Sequence, residues 1–229
     1  MLLEDDCQWI AFDAVGTLIF ADPPVHEVYH RVGQRHGSSL TRLEIRQRIA
    51  DVFLQRNQSQ FHATSESNDH EFWRDFVAEV LGDVTDRDSC FSELYEWFAL
   101  PSSWRCYPDV VPTIYALHER GYQLAIASNF DDRLHAVCDQ LDGLKNICKR
   151  VISSEVGWRK PHHEFYRNLT DVCGVDASRI LIIGDDPQND VWGAQQAGLR
   201  ALLIERRHSD RIEDEEVPSI SSLCGLLET

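Results

Sequence analysis

Positive charge is what this chain of 229 residues has least of: 22 Lys and Arg stand against 38 Asp and Glu, a net charge of −16. That balance repels phosphate backbones and anionic membrane surfaces, and no basic run offers a local groove, so neither nucleic acid nor membrane is expected as a partner. Long apolar runs are missing too, none approaching the roughly 18 residues of a membrane span. The opening residues Met1-Leu-Leu-Glu-Asp-Asp-Cys7 carry acids where a secretory signal carries positive charge, which predicts a cytoplasmic protein. The seven cysteines form no C-x-x-C pair and no zinc-like spacing, so reduced thiols are expected, with Cys7 and Cys138 as small core residues. There is no internal repeat or low-complexity tract, and the acidic run Glu213-Asp-Glu-Glu216 reads as a solvated turn. With 43% hydrophobic residues, the chain has enough apolar surface for a sizeable core.

Short β-branched runs at Gln8 to Phe12, Leu124 to Ser128, Arg150 to Ser153, Ile180 to Gly184 and Ala201 to Ile204 read as buried parallel strands. Helical periodicity separates them, for example Val110, Ile114 and Leu117, then Leu134, Val137, Cys138 and Leu141, then Phe165, Leu169 and Val172. Alternation of this kind predicts an α/β fold with a doubly wound parallel sheet, whose ligand crevice lies beyond the carboxyl ends of the strands. About a hundred residues without a strand-like run separate the first two strands, far more than a simple crossover needs, so an insert is expected there. Val25 to His36, Leu40 to Phe61, Asp69 to Leu81 and Ser89 to Phe98 read as its helices.

Chemistry gathers at the predicted strand ends. Asp13 closes the first strand, and a carboxylate there can attack phosphorus or a saturated carbon to form a covalent intermediate. Attack on a phosphate dianion by an anion is electrostatically uphill, so fixed positive charge is required, and Lys160 before the rigid Pro161 is the natural cation. Ser128 and neighbouring backbone N–H groups are placed to hold phosphate oxygens. Asp185, Asp186 and Asp190 crowd one loop and would repel one another without a hard cation among them, for which Mg²⁺ suits an oxygen-only site. Singly, each fragment has an ordinary reading as a turn or a helix cap. Their joint placement is what points to a site.

In order and kind, Ile10-Ala-Phe-Asp-Ala-Val-Gly-Thr-Leu18, Ala125-Ile-Ala-Ser-Asn129, Gly157-Trp-Arg-Lys-Pro161 and Ile180-Leu-Ile-Ile-Gly-Asp-Asp-Pro-Gln-Asn-Asp190 resemble the four motifs of the haloacid dehalogenase superfamily of aspartate-nucleophile hydrolases. With Phe72-Trp73 and Ser128-Asn-Phe-Asp-Asp-Arg-Leu134, the chain is similar to the haloacid dehalogenase-like hydrolase domain-containing subgroup. The resemblance implies a core of residues 1–20 and 107–229 with a helical cap at 21–106 that closes over the site. It further implies that Asp13 is nucleophile and metal ligand, that the Val15 carbonyl and Asp185 are metal ligands, that Asp190 supports them and that Asp186 assists. Thr17, Ser128, Asn129 and Lys160 would hold phosphate, and a small phosphorylated molecule would be the substrate.

Val15 breaks the phosphatase pattern, because the family's second aspartate, two residues after the nucleophile, protonates the leaving group and later activates water. Three readings compete: a phosphatase confined to acidic leaving groups or another proton donor, a 2-haloacid dehalogenase, and a silent phosphate-binding or interaction protein. Halide needs no protonation, which suits a dehalogenase, but the retained acids of the last motif argue for metal and against halide chemistry. Tyr166 resembles a dehalogenase tyrosine, although core packing is its ordinary reading. In the insert, Trp73, Arg74, Arg56, His62 and His70 are candidates to face the substrate.

Overall fold

The structure, a computed structural model, describes residues 3, 6–57, 63–147, 149–206 and 218–227. Strand β1 (Trp9–Phe12) consists of four apolar residues, all buried, as a central strand covered on both faces requires. After a short strand β2 (Ile19–Ala21) come four helices in succession: α1 (Val25–Arg35), α2 (Arg42–Asn57), α3 (Glu66–Val80) and α4 (Arg87–Ala99). Side-chain oxygens of Ser65 and Asp86 accept from the Asn68 and Ser89 backbone N–H groups and so start α3 and α4. The chain returns through β3 (Trp104–Cys106), which pairs antiparallel with β2. Thereafter α5 (Val110–Glu119), β4 (Gln123–Ser128), α6 (Arg133–Gln140), β5 (Lys149–Ile152), α7 (Ser153–Val156), α8 (His163–Cys173) and β6 (Ile180–Gly184) follow. A π-type turn at Pro187–Trp192, α9 (Gly193–Gln196), β7 (Arg200–Ile204) and β8 (Ser219–Ile220) come next, and short 3-10 turns at Pro101–Ser103, Ala177–Arg179 and Leu223–Leu227 complete the described elements.

One parallel sheet runs β5-β4-β1-β6-β7-β8. Its side chains alternate between two cores with the period of two that a pleated strand imposes. Ile10, Phe12, Ile126 and Ile183 face α5 and α6, while Trp9, Ala11, Ala127 and Ile182 face α8 and α9. Helices α1 to α4 bury a third cluster of their own, around Val32, Ile45, Phe76, Val80 and Leu94. Strand order reverses at β1, with β4 on one side and β6 on the other, and the crevice of a doubly wound sheet opens at such a switch point.

All five expected strands form, each within one residue of its expected bounds. The expectation of no strand between the first two is corrected: β2 and β3 make a three-pair ribbon at the root of the helical stretch. Three residues are too few to display a period of two, and the two-residue β8 escapes for the same reason. The expected core boundaries, near Phe20 and Cys106, fall inside that ribbon. The expected C-terminal end of α2, His62 and the 213–216 run lie outside the described residues. No helix among the described residues is long and apolar enough to cross a membrane. Cys90, Cys106, Cys138, Cys173 and Cys224 carry free thiols, and burial pushes that of Cys138 up to about 12.

Candidate active site

Asp13 leaves β1 with its backbone N–H bonded to the Ile183 carbonyl at 2.8 Å, so its carboxylate emerges where β1 and β6 end together. Lys160, only 3% exposed, arrives from the loop after α7. Its Nζ donates to Asp13 Oδ1 at 2.7 Å, to Asp190 Oδ1 at 2.6 Å and to the Ala127 carbonyl at 2.9 Å. All three ammonium donors are thereby engaged. Burial alone would favour the neutral amine, but the charges and hydrogen bonds of Asp13 and Asp190 outweigh it and raise the pKa. Ser128, the last residue of β4, donates to the same Asp13 Oδ1 at 3.1 Å. Both bonds therefore fall on Oδ1, and Oδ2 receives neither.

The loop after β6 brings Asp185 and Asp190 to Asp13, and one oxygen from each of the three lies within 4.8 Å of the others. Burial pushes the Asp190 carboxyl up to about 6 even though Lys160 pulls it down. Asp185 is raised as well, first by desolvation and then by the charges of Asp13 and Asp190, although part of its surface is exposed. A cluster of this kind, all oxygen and mutually repelling, fits a hard divalent cation. Two glycines make the crowding feasible. A Cβ on Gly184 would lie 2.1 Å from the Asp190 carboxyl carbon, and one on Gly16, whose φ is +94°, 2.2 Å from Asp185 Oδ2. The sequence reading gave neither glycine a role.

Other expected site residues stand beside this cluster in different employment. Asp186 turns its carboxylate onto the following turn, accepting from the backbone N–H groups of Gln188 and Asn189, both at 2.9 Å, and from Asn189 Nδ2 at 3.0 Å. It is a cap, and it is not among the three acids that converge. The Asn129 side chain clamps the main chain of Lys160, accepting from its N–H at 2.7 Å and donating to its carbonyl at 3.0 Å. Asn129 thus fixes the lysine from behind. Thr17 is fully buried and its Oγ1 reaches Asp185 Oδ1 only at 3.5 Å. Its carbonyl accepts from Arg206 Nε at 3.1 Å and Nη2 at 2.6 Å, and Arg206 is itself anchored on both oxygens of Asp109. Nothing in the sequence near Arg206 signalled this brace, because its partners lie 97 and 189 positions away. Tyr166 is fully buried and donates to the Asn189 carbonyl, a packing role.

Above the acids opens a cavity of about 430 Å³. Asp13, Val15, Ser128, Lys160, Asp185 and Asp190 lie on one side, and Val15, 39% exposed, brings no acid to it. The opposite wall is aromatic, with Tyr29, Phe53, Phe72, Trp73 and Phe98 from the four helices, joined by Phe130. Of the candidates from the insert, Trp73 reaches this wall. Arg74 pairs with Asp75 at its side, Arg56 lies over Phe72 and pairs with Glu79, and His70 is packed between Phe91 and Tyr95. Arg133 and Arg159, which line the cavity, were not singled out in the sequence. Arg133 bonds Asp131 twice, at 2.7 and 2.6 Å, and Arg159 bonds Asp69.

The insert and the site are joined by short links. Thr64 N–H bonds the Gly157 carbonyl at 2.9 Å, Asp69 holds Arg159, and the Glu66 carboxylate accepts from Ser154 Oγ and from the Asp132 N–H at 3.1 Å. The start of α3 is thereby tied to the loop that carries Lys160.

Residues 7–198 match the haloacid dehalogenase-like hydrolase family. Among curated proteins, the chain is 26% identical over 234 residues to haloacid dehalogenase-like hydrolase domain-containing protein 3 of Bos taurus, covering 96% of this chain and 93% of that one. It is 28% identical over 224 residues to a phosphoglycolate phosphatase of Aliivibrio fischeri, covering 95% and 93%. Among solved structures, the defluorinating L-2-haloacid dehalogenase Rha0230 superposes with a TM-score of 0.75 at 17% identity, over 96% of this chain and 93% of that one. At that identity the likeness is one of fold.

Proposed function

The chain belongs to the haloacid dehalogenase-like hydrolase family, and from that premise we propose that it is a magnesium-dependent phosphatase of small phosphate esters, restricted to good leaving groups by Val15. Asp13 supports this most directly: Lys160 and Ser128 hold its Oδ1, leaving Oδ2 for attack, with two further acids converging beside it. Three carboxylates against one ammonium repel a phosphate dianion, and the donor set fits Mg²⁺. Asp13, the Val15 carbonyl and Asp185 would hold the ion, while Asp190, bonded through Oδ1 to Lys160 and through Oδ2 to the Asp186 N–H, orients the set. When bound, the ion supplies the positive charge that lets an anion approach phosphate.

Asp13 Oδ2 bonds phosphorus as the bond from phosphorus to the leaving oxygen breaks, and the electron pair departs with that oxygen. Water then attacks the aspartyl phosphate, releasing inorganic phosphate and the free carboxylate. Ser128 and Lys160 hold Asp13 Oδ1 throughout, and the ammonium charge of Lys160 offsets part of the negative charge gathered there. Lys160 cannot replace the missing acid, because its three donors are engaged and its raised pKa holds its proton. Helices α1 to α4 act as a cap that walls the leaving-group side.

The test is a series of para-substituted phenyl phosphates, similar in shape and graded in leaving-group acidity. With Mg²⁺, kcat/KM climbs steeply with acidity, and Asp13→Asn is inactive throughout. Equal kcat/KM across the series with Asp13 still required would show another group donating the proton. Halide release from a 2-haloacid without magnesium would replace the phosphatase with a dehalogenase.

A further inference from the structure

We propose that the cavity takes a flat, uncharged aromatic leaving group, so that the substrate class is an aryl phosphate monoester. Turnover of such a substrate rests on the phosphatase reading above, whereas its binding rests on the cavity alone.

The wall facing the acids is built mainly of rings, with two arginines among them. Phe53 and Phe72 each set an edge against Trp73, with centroids 6.1 and 5.2 Å apart and planes at 73° and 84°. All three line the cavity and are only partly buried; guanidinium groups of Arg56 and Arg159 lie 5.0 and 4.8 Å from the Phe72 centroid, and Phe53 and Trp73 offer the apolar surface open to a ligand. A second ring packs there by edge or offset contact. Hydroxyls of a sugar would instead lose water against these faces.

Charge separates the aromatic class from small acids. The two guanidinium groups on this side are each matched to a carboxylate, Arg133 to Asp131 and Arg159 to Asp69, and Asp131 and Asp69 are 0% and 2% exposed. Arg133 also lies 3.7 Å from the Tyr95 ring centroid and donates to the Tyr95 carbonyl at 3.2 Å. The wall is therefore electrically balanced. A second anionic group, such as the carboxylate of phosphoglycolate or of a 2-haloacid, meets neutralised arginines there and Asp185 and Asp186 on the other side.

Val15 points the same way on independent chemical grounds. As Asp13 bonds phosphorus, an aryl oxygen departs with the electron pair as a delocalised aryloxide and takes its proton from water afterwards. No acid at position 15 is required. An aromatic wall and a missing general acid thus favour one and the same leaving group.

The experiment compares 1-naphthyl phosphate, phenyl phosphate, acetyl phosphate and phosphoglycolate in the intact protein with Mg²⁺. Naphthyl and phenyl leaving groups are similar in acidity, so their difference reports the wall. KM is expected to fall about 10-fold from phenyl to naphthyl, which is what burying roughly 55 Å² of apolar surface yields. Both should bind more tightly than acetyl phosphate and phosphoglycolate. Trp73→Leu should bring the naphthyl-to-phenyl ratio toward one. Equilibrium binding to Asp13→Asn, followed by tryptophan fluorescence, gives the same ranking without turnover. Preferential binding of naphthyl phosphate with no turnover in the parent would remove the phosphatase reading and leave the aryl site standing. Equal affinities across the set, or tighter binding of phosphoglycolate, would overturn the inference.

Discussion

Val15→Asp tests whether proton transfer is what this site lacks. Valine and aspartate are close in size, and position 15 is 39% exposed on the cavity wall, so the new carboxyl has room and a path to the leaving group. General acid-base catalysis is worth typically 10²–10⁴ in rate. Against that stands a fourth carboxylate: at about 5 Å and an effective dielectric near 20, repulsion from one neighbour is roughly 3 kcal/mol, or about 10² in rate. Set against each other, the two leave from no gain to about 100-fold where the repulsion is fully felt; with Mg²⁺ offsetting part of it, a gain of at least about 10-fold is expected on alkyl phosphates and a much smaller one on aryl phosphates. Steady-state phosphate release measures it, with Val15→Asp/Asp13→Asn as the inactive control. A folded Val15→Asp protein that binds magnesium and gains nothing would refute the reasoning and favour a silent phosphate binder.

The acid cluster predicts a magnesium response with a definite pH dependence. Asp185 titrates above its unfolded range, so its contribution is lost as pH rises from the ordinary carboxylate range toward neutrality, and the cation-free protein should lose stability over that window. Thermal melts should therefore show a magnesium-induced rise that is larger at pH 8 than at pH 5, and Asp185→Asn should abolish most of it. No magnesium response in the parent would remove the metal from the account. Lys160→Met leaves Asp13 and Asp190 without their buried partner and should cost about 3–5 kcal/mol in urea unfolding. Adding Asp190→Asn should recover part of that loss, whereas an additive further loss would mean that the triad is not coupled.

What the sequence determined by itself was local or periodic. Runs such as Ile180-Leu-Ile-Ile-Gly184 are long enough to declare a buried strand, and a polar residue placed directly after one must emerge at a sheet edge. Asp13, Ser128 and Asp185 were legible for that reason, Lys160 and Asp190 only through the motifs that carry them, and the structure brings the five side chains together. What only the tertiary structure decided was which partner each group has. Asp186 and Asp190 sit in one loop and look alike as letters, yet backbone direction aims one at the N–H groups of the next turn and the other at Lys160. Asn129 looks like a phosphate donor until the Lys160 main chain is seen to occupy its amide. Gly16 and Gly184 are unremarkable residues in the sequence, and their need follows only from carboxylates packed where a Cβ would lie. The aromatic wall and the Arg206 brace join residues far apart in the chain, and contacts of that kind are set by packing across the fold, which no local pattern encodes.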